Sequence, residues 1–591
     1  MTNMMEAAQA QLREMLMSAL GVLVAEGKVP GEPVPPFKIE VPADKSHGDF
    51  ASNIAMASAK ALHMAPRAIA ELLIGAMVFE GSYFERAEIA GPGFMNFFLE
   101  KRWFADTVQA VLDEQGDYGK SEDGKGKRAL VEFVSANPTG PMHVGNARGA
   151  ALGDGIAALL EWTGWGVERE FYVNDAGNQI EKFGKSLSLR YMQLCTDKGQ
   201  LVYAAHKDDD DALAAAIYGE DGNSADFPMP DDVYLGKDII LHAFHYYQEN
   251  GAALAELSEE ERRSKLVGYA LPLNIEGLER DLRSYRVEYD HWFRESKLHA
   301  DGSVDRIIDE LTKRGFTYEQ EGAIWFKAEQ FGADKDFVLR RANGIPTYIV
   351  PDIAYHMDKL ETRGFDKAIN VLGADHHGYV PRLKAALKAL DVDTNRLDVV
   401  LMQMVMLFRN GQPAKLSKRS GKAIGLVTLL EDIPLDAARF FFNMREANSH
   451  FEFDLDLAVE KSSQNPVYYV QYAHARICSI LRNLQAEGLY AEGTPMKELP
   501  VSGTAQETEL IRHLADFPAT VAAAAKVYDP SRVTKYATEL ATLFHKFYDA
   551  CSVKNAETPE LRESRTGLCR ATAQTLRNAM SILKIDCPEK M

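Results

Sequence analysis

The sequence predicts an α/β protein, with a parallel sheet that is interrupted by an insertion, preceded by a small α+β unit and followed by an all-helical bundle. Three observations support this prediction. Residues 129–134 are a short, apolar, β-branched run that leads through a Pro/Gly turn into a helical pattern. After about residue 300, strand-like runs alternate with helical ones. From about residue 465, the apolar residues keep helical spacing throughout.

The first predicted unit covers residues 1–110 and has the pattern of a small α+β module. A helical pattern opens it, a proline-rich stretch follows, and strand patterns close it. The expected elements are a helix at about 3–26, a strand at 37–41, a helix ending near residue 60 and a strand–turn–strand at 88–99. Glycines among charged residues at 121–127 indicate a linker.

The second predicted unit covers residues 128–460 and contains the parallel sheet, with an insertion near residues 200–260. The four consecutive aspartates at 208–211 could bind a cation, but we expect a solvated loop, since like charges repel unless a site organises them. After the insertion, the expected elements are strands at 323–326, 346–350 and 367–372 and a helix at 381–390.

The third predicted unit covers residues 465–591 and is a separate helical bundle. Its first helix has an apolar face formed by Val470, His474, Ile477, Leu481 and Leu484. The pair Asp529-Pro530 is typical of a helix start, because it combines a capping acid with a proline in the first turn.

Composition and charge narrow the class of protein. The 591 residues contain no apolar run of the ~18 residues needed to span a bilayer. Charged residues within the first helical stretch argue against a signal peptide. Five scattered cysteines without a Cys-x-x-Cys pair indicate reduced thiols and no zinc site. We therefore expect a cytoplasmic protein, whose net charge of −20 disfavours indiscriminate nucleic-acid binding but permits a local basic groove.

Residues 131–155 form the first candidate site. A strand, a tight turn and a helix N-terminus beside His143 make a plausible cradle for phosphates. Gly145, Gly149 and Gly153 recur at intervals of four along the helix. Because a glycine inside a helix costs about 1 kcal/mol relative to alanine, we expect this stripe to let another backbone or a flat ligand lie against the helix.

A basic loop at residues 411–422 is the second candidate site. It has glycine and proline at its ends and concentrates four basic residues in an acidic protein. Two lysines three residues apart, Lys415 and Lys418, could close over a triphosphate and neutralise charge on a departing pyrophosphate. A solvated basic turn is the alternative for the loop taken alone.

Together, the two stretches resemble the paired signatures of class I aminoacyl-tRNA synthetases. Asn-Pro-Thr-Gly-Pro-Met-His-Val-Gly-Asn at 137–146 resembles the HIGH signature, and Lys-Leu-Ser-Lys-Arg at 415–419 resembles the KMSKS loop. The flanking sequence is more specific and resembles arginyl-tRNA synthetases over nearly the whole chain. The matching stretches lie at 46–50, 90–94, 135–140, 347–356, 373–379, 453–458 and 465–478.

The resemblance implies a Rossmann-like catalytic sheet, an N-terminal domain that contacts the tRNA core and a C-terminal anticodon-binding bundle. It implies a reaction in which ATP converts L-arginine to arginyl-adenylate, and the arginyl group is then transferred to tRNA(Arg) for protein synthesis. Mg²⁺ carried by the ATP is expected, although the sequence shows no dedicated metal ligands. The family resemblance also suggests a monomer.

The resemblance implies that the glycine stripe on the helix forms a floor for the nucleotide, and it carries roles to individual residues. The catalytic residues implied are His143, Lys415 and Lys418. The ATP-binding residues implied are Ala136, Asn137, Pro138, Thr139, Gly140, Pro141, Met142, His143, Val144, Gly145, Asn146, Lys415, Ser417 and Lys418. The arginine-binding residues implied are Asn137, Tyr348, Asp352 and His376, and the tRNA-binding residues are Tyr469, Tyr472 and Arg476.

Some assignments have simpler alternatives. Tyr348 could be a core residue and Asp352 a helix cap, although a carboxylate is the acceptor that a planar guanidinium prefers. Asn146 replaces the last histidine of the HIGH signature and cannot carry a positive charge. That replacement motivates an alternative function, a catalytically silent tRNA-binding paralogue. A class I synthetase for another amino acid, such as cysteine, is a further alternative.

Overall fold

The computed structural model describes residues 2–219, 222–414, 425–491 and 503–591. Its N-terminal part is an α+β unit in which helices pack on an antiparallel sheet of order β1-β2-β4-β3. The first helix forms because Leu12, Leu16 and Leu23 share one buried face and the Asn3 side chain caps the first turn. The elements are α1 Met4–Ala25, β1 Ile39–Glu40, β2 Phe50–Ser52, α2 Ile54–Ser58, α3 Pro66–Ala76, β3 Phe84–Ala90, β4 Phe94–Leu99 and α4 Lys101–Glu114.

The predicted strand–turn–helix comes next and begins the central sheet. Its strand is apolar and fully buried after its first residue, which is typical of a central parallel strand. The elements are β5 Arg128–Glu132, α5 Val144–Trp162, β6 Gly166–Val173 and α6 Asn178–Leu194.

The insertion is helical and packs on α6. Its helices are α7 Asp197–His206, α8 Asp210–Tyr218, α9 Lys237–Asn250 and α10 Glu259–Ser284. The expectation of a solvated loop at 208–211 is confirmed for exposure, since all four aspartates are exposed, but Asp210 and Asp211 lie in the first turn of α8. Asp209 caps this helix by accepting the Ala212 N–H at 3.0 Å. Asp210 lies 3.0 Å from the His245 ring on α9. The acids thus begin a helix and join it to its neighbour.

The chain then completes the central sheet, and every pairing in it is parallel. The strand order is β12-β11-β5-β6-β7. The elements are β7 His291–Arg294, α11 Glu295–Ala300, α12 Ser303–Lys313, β8 Thr317–Gln320, β9 Ala323–Phe326, β10 Phe337–Arg340, α13 Ile349–Met357, β11 Lys367–Gly373, α14 Val380–Ala389 and β12 Leu397–Met402. A π-helical turn, Asp358–Thr362, continues α13.

Two sequence predictions in this region need correction. The apolar run at 346–350 was expected to be a strand, but α13 begins within it, because periodicity alone does not separate a short buried strand from a buried helix. The strand at 323–326 exists as β9, but it belongs to a separate antiparallel sheet with β8 and β10 rather than to the parallel sheet.

A small sheet and short helices link the central sheet to the C-terminal bundle. The linking elements are β13 Val405–Arg409, β14 Gln412–Pro413, α15 Leu426–Asp432, α16 Leu435–Phe442, β15 Phe451–Asp454 and α17 Leu455–Val459. The bundle helices are α18 Pro466–Ala486, α19 Ala505–Ala515, α20 Phe517–Lys526, α21 Ser531–Ala550 and α22 Pro559–Ile582. None of the helices within the described ranges is long and apolar enough to cross a membrane.

The bundle packs on both other regions. Arg512 on α19 forms a 2.6 Å ion pair with Asp49 beside β2, and the Tyr118 hydroxyl donates to the Leu514 carbonyl at 2.8 Å. The α20 and α22 helices pack on α5. The helix that follows the first signature therefore lies between the central sheet and the bundle.

Candidate active site

A cavity of about 990 Å³ opens at the carboxyl edge of the central sheet. Glu132 at the end of β5, Tyr172 on β6 and Asn370 on β11 all line it. The chain builds β5, β6 and β7 toward one edge of the sheet and β11 and β12 toward the other, so the connections change direction between β5 and β11. Ligands of open α/β sheets bind at this kind of switch point.

The backbone is strained where β5 leads into the cavity. Val134 and Ser135 have φ angles of 69° and 40°, a region that a β-branched residue rarely adopts. Both residues line the cavity, and the Ser135 hydroxyl donates to Glu132 Oε1 at 3.0 Å while accepting the Tyr172 N–H at 3.2 Å. Strain held by such contacts is characteristic of functional sites.

Three of the four predicted arginine-binding residues meet in this cavity. Tyr348, Asp352 and His376 all line it, and Tyr379 holds them together. The Tyr379 hydroxyl donates to Asp352 Oδ2 at 2.6 Å, and its ring stacks on Tyr348 with centroids 6.0 Å apart and contacts His376 edge-on. Tyr348 is 72% exposed, so it is not a core residue. The alternative for Tyr348 is thereby excluded.

A chain of buried polar contacts connects Asp352 to β5. The Lys359 ammonium donates to Glu132 Oε2 at 2.6 Å and to Asn370 Oδ1 at 3.1 Å. Because lysine only donates, this contact fixes the Asn370 amide so that its nitrogen donates to His356 Nε2 at 2.8 Å. The other ring nitrogen, Nδ1, lies 3.1 Å from Asp352 Oδ1.

These contacts determine the charge of Asp352. Burial by itself raises the pKa of this carboxyl, but His356, Tyr379 and Lys359 outweigh burial and hold the pKa below its usual value. Asp352 is therefore ionised at neutral pH and faces the cavity in a fixed orientation.

Acidic residues outnumber arginine in the cavity lining: Glu132, Glu295, Asp352 and Asp375 line it together with Arg341. Glu132 is paired with Lys359, and burial raises the pKa of the Glu295 carboxyl. Carboxylates at several positions favour a cationic ligand, and a planar ligand with several N–H donors uses them best.

The signature turn at 136–146 lies beside the cavity rather than in its lining. From this part of the chain the lining includes only Val134 and Ser135, which immediately precede the turn. Asn137, the fourth predicted arginine contact, is exposed outside the lining. Its assigned role stays a prediction, as do those of the other residues at 136–146.

His143 caps the N-terminus of α5. Its Nδ1 accepts the Gly145 N–H at 3.2 Å, and Asn146 Oδ1 accepts the His143 N–H at 3.1 Å. Because Nδ1 is an acceptor, the ring proton is on Nε2 and is available to a ligand. The residue is exposed, yet partial burial of its ring lowers the pKa of His143. Asn146 thus has a structural role, because its side-chain oxygen stabilises the turn. A histidine at position 146 is not needed for this role.

The chain that follows the basic loop lies next to this turn. The predicted residues Lys415, Ser417 and Lys418 lie outside the described residues. Before the loop, the Ala414 N–H donates to the Leu407 carbonyl of β13 at 2.7 Å. After the loop, Gly425 forms an antiparallel bridge with His143, and the Leu426 N–H donates to the Met142 carbonyl at 3.0 Å. The described residues that follow the second signature are thus anchored on the first signature.

The glycine stripe of α5 has several uses, and the expectation that it is a nucleotide floor is wrong at Gly153. A Cβ atom at Gly153 would lie 2.2 Å from the Phe133 ring, so this glycine lets the helix approach the sheet. Gly149 is buried, and a Cβ atom there would lie 3.6 Å from the methyl carbon of Met402. Gly145, at the N-terminus, is the one of the three that stays partly exposed.

Sequence reasoning missed Arg148, which is fully buried one turn after the signature. It donates to the carbonyls of Gln403, Glu446 and Ser449 at 2.7, 3.0 and 3.3 Å, and burial lowers its pKa to about 10. It therefore joins α5 to the chain that enters β13 and the basic loop. The available signal was that Arg148 is the only basic residue of α5, a helix rich in alanine and glycine.

The predicted tRNA-binding residues lie together on α18. The Arg476 guanidinium lies over the rings of Tyr472 and Tyr548, 5.1 and 4.8 Å from their centroids. Tyr469 contacts the His545 ring, and Tyr472 is 37% exposed.

Among the described residues, no group of three or more His, Cys, Asp or Glu side chains is arranged to hold a metal ion.

Three family models match the chain. "Arginyl tRNA synthetase N terminal domain" matches residues 7–99, "tRNA synthetases class I (R), catalytic domain" matches 107–195 and 284–477, and "DALR anticodon binding domain" matches 470–591. The catalytic model leaves out residues 196–283, which contain the helical insertion.

Relatives match over the full length. Arginine–tRNA ligases of Acetivibrio thermocellus and Caldanaerobacter subterraneus are 47% and 46% identical, each covering 100% of both chains. In fold, the chain resembles the arginyl-tRNA synthetases of Thermus thermophilus (TM-score 0.68, 23% identity, 98% of this chain and 100% of that one) and Plasmodium falciparum (TM-score 0.65, 17% identity, 98% and 99%). This chain belongs to the arginine–tRNA ligase family of class I aminoacyl-tRNA synthetases.

Proposed function

We propose that the acid-lined cavity binds L-arginine and that ATP binds across the N-terminus of α5, so that the two substrates meet at the switch point of the sheet. The family ligates arginine to tRNA in a reaction that uses ATP. The observation that carries the assignment to this cavity is Asp352, an ionised carboxylate held in place by Tyr379 and His356.

For arginine, Asp352 accepts hydrogen bonds from the guanidinium, and Tyr348 packs against the side chain. Two parallel N–H···O bonds to one carboxylate give both affinity and orientation. His376 and Asn137 contact the polar groups at the other end of the amino acid. The contacts of Asp352 with its protein neighbours pre-organise it, so little side-chain freedom is lost on binding.

For ATP, the ring proton of His143 donates to the phosphates, and Gly145 leaves room for the nucleotide. A carboxylate oxygen of arginine attacks the α-phosphorus, the bond to the bridging oxygen breaks, and pyrophosphate leaves. Lys415 and Lys418 neutralise the charge that develops on it. Mg²⁺ accompanies the ATP, and the residues at 136–146 hold the nucleotide.

For tRNA, Tyr469, Tyr472 and Arg476 contribute to the surface that binds the anticodon region. Aromatic faces stack on unpaired bases, and the guanidinium neutralises phosphate. The terminal ribose hydroxyl attacks the arginyl carbonyl, and AMP leaves. The N-terminal unit contacts the tRNA core. The protein acts as a monomer in the cytoplasm, away from membranes.

The experiment is arginine-dependent exchange of labelled pyrophosphate into ATP, with tRNA(Arg) present and absent. Asp352→Asn keeps the shape of the side chain and removes its charge. We expect the KM for arginine to rise about 100-fold, since truncating a desolvated charge pair costs about 2–5 kcal/mol. Asp375→Asn is the control, because Asp375 also lines the cavity but its carboxylate is 85% exposed.

Each outcome decides between named functions. Equal effects of the two substitutions would show that general acidity, rather than Asp352, selects arginine. Exchange with a different amino acid would overturn the specificity. Absence of exchange under every condition would favour the catalytically silent paralogue, the alternative suggested by Asn146. The hydrogen bond that Asn146 accepts from the His143 N–H gives this residue a structural role instead.

A further inference from the structure

The helical insertion reaches the signature turn directly. The α9 and α10 helices lie in the segment 196–283 that the catalytic family model does not match. Asn274 on α10 donates its side-chain N–H to the Pro138 carbonyl at 2.9 Å. This bond links the turn to a residue 136 positions away in the sequence. The insertion thus helps to hold the turn at Pro138, as Gly425 and Leu426 do at His143 and Met142.

The Asn274 amide is itself held by α9. Its Oδ1 lies 2.7 Å from His242 Nε2, and both residues are partly buried. Because the amide nitrogen donates to Pro138, the amide oxygen must accept, and His242 donates through Nε2–H. The three groups form a chain from α9 through α10 to the turn. Because the Asn274 amide is held at both ends, the positions of α9 and α10 determine where the Pro138 carbonyl lies.

Two further contacts bring the insertion against the site. A Cβ atom at Gly140 would lie 3.6 Å from Asp238 Oδ2, so the first turn of α9 is in van der Waals range of the signature turn. The connection before α9 also reaches the cavity wall, since the Tyr234 hydroxyl lies 3.4 Å from Gln179 Oε1 and Gln179 lines the cavity.

We propose that α9 and α10 form a brace that positions the signature turn for ATP, and that Asn274, held by His242, is the positioning residue. A displacement of about 1 Å in a catalytic segment is enough to cost about 100-fold in rate. The brace therefore acts mainly on the nucleotide half of the site, because the residues proposed to bind the guanidinium lie on α13 and near β11, away from Pro138. This inference rests on the proposed placement of ATP at the N-terminus of α5.

The test measures pyrophosphate exchange by the full chain with tRNA(Arg) present. Asn274→Ala removes the bond to Pro138 and should raise the KM for ATP or lower kcat, with a combined loss in kcat/KM for ATP of about tenfold, which corresponds to about 1.4 kcal/mol. The KM for arginine should rise less than the KM for ATP, since only Asn137 among the proposed arginine contacts lies in the braced turn. Glu276→Ala, on the exposed side of the same helix, is the control and should leave both values unchanged.

His242 provides a second, independent route. His242→Leu removes the donor to Asn274 and should produce a smaller loss of the same kind, whereas His242→Gln keeps a donor and should restore kcat/KM for ATP. The double variant His242→Leu/Asn274→Ala should be no worse than Asn274→Ala alone, because both changes act through one bond.

The outcomes separate the brace from the proposed function. If His143→Asn weakens ATP use but a folded Asn274→Ala or His242→Leu variant does not, the brace is refuted and the ATP site stands. If His143→Asn is also without effect, the placement of ATP is wrong. Equal rises in the KM for ATP and for arginine would show a purely structural role and would also refute the brace.

Discussion

The two halves of α5 contain the same small-residue stripe and use it in opposite ways. At the N-terminal end, a Cβ atom on Gly145 would contact only the His143 ring, at 3.1 Å. Further along, Gly153 is covered by Phe133 of the sheet, and a Cβ atom on Gly155 would lie 3.0 Å from Pro530 of the bundle. Small residues therefore keep one end open toward the site and bring two parts of the protein against the other.

The polar residues of the two halves differ in the same way. Asn146 makes its hydrogen bond within the first turn of the helix. Asp154, in contrast, is fully buried and pairs with Arg439 at 2.6 Å, Lys584 at 2.9 Å and Arg169 at 3.1 Å. The C-terminal half is thus an anchor that joins the sheet, the bundle and α16, whereas the N-terminal half faces the proposed ATP site.

Substitution of Asp154 should have the largest effect on stability among the changes that test this difference between the two halves of α5. Asp154→Asn removes the buried charge and leaves Arg439 without its carboxylate, which typically costs about 3–5 kcal/mol. We expect a large drop in the urea midpoint of unfolding. Glu161→Gln is the control, because Glu161 pairs with Arg169 from a 43% exposed position and should change the midpoint little. An unchanged midpoint for Asp154→Asn would mean that the anchor lies elsewhere.

Gly153→Ala should have the next largest effect. The new methyl group would overlap the Phe133 ring, and such overpacking costs about 1–3 kcal/mol. The apparent Tm should fall. Gly21→Ala in α1 is a matched control, since no atom lies within 4 Å of its Cβ position, and it should raise the Tm slightly because alanine is the better helix former. Equal responses at the two sites would contradict the packing role of Gly153.

Gly145→Ala should affect activity instead of stability. Its Cβ atom would press on the His143 ring at 3.1 Å and displace the group proposed to meet the phosphates. We expect kcat in pyrophosphate exchange to fall about tenfold, or about 1.4 kcal/mol in the activation barrier, with no decrease in Tm. A fall in Tm with normal kcat would show that both halves of the helix serve packing alone.

Asn146→Ala should have the smallest effect. It removes one hydrogen bond to the His143 N–H, which is worth about 1 kcal/mol. We expect a loss of severalfold in kcat/KM for ATP and a small decrease in Tm, and Asn146→Ser, which keeps an acceptor, should recover part of both. Complete inactivation would instead assign Asn146 a direct contact with substrate.

The sequence predicted those parts of the fold where local patterns and tertiary structure agree. The strand at 129–134 and the helix from about His143 appear as β5 and α5, because periodicity, proline and glycine all indicate the same elements there. The run at 346–350 misled because a short apolar segment fits a strand and a helix equally well. Tyr348 and Asp352 were assigned from the family resemblance, and one helical turn places both in the cavity. Their contact with arginine stays a prediction.

The residues that sequence reasoning missed depend on topology. The Lys359 ammonium meets Glu132 across 227 positions of sequence, and only the adjacency of β5 and β11 brings them together. Arg148 carries no local sign that three distant carbonyls surround it. Long-range polar contacts of this kind produce no periodic pattern in the sequence. In a single sequence, the residues that form them therefore appear only as isolated charged residues.

The ion pair between Asp154 and Lys584 has a consequence for the order of events during synthesis. The two residues are 430 positions apart. At a ribosomal speed of about 5–20 residues per second, about 20–90 s therefore pass between the synthesis of the aspartate and that of the lysine. During that interval the buried carboxylate has fewer cations around it than in the finished protein. We therefore expect the nascent catalytic region to gain its full stability only when the bundle has been made. Until then, this region should be most exposed to chaperones and proteases.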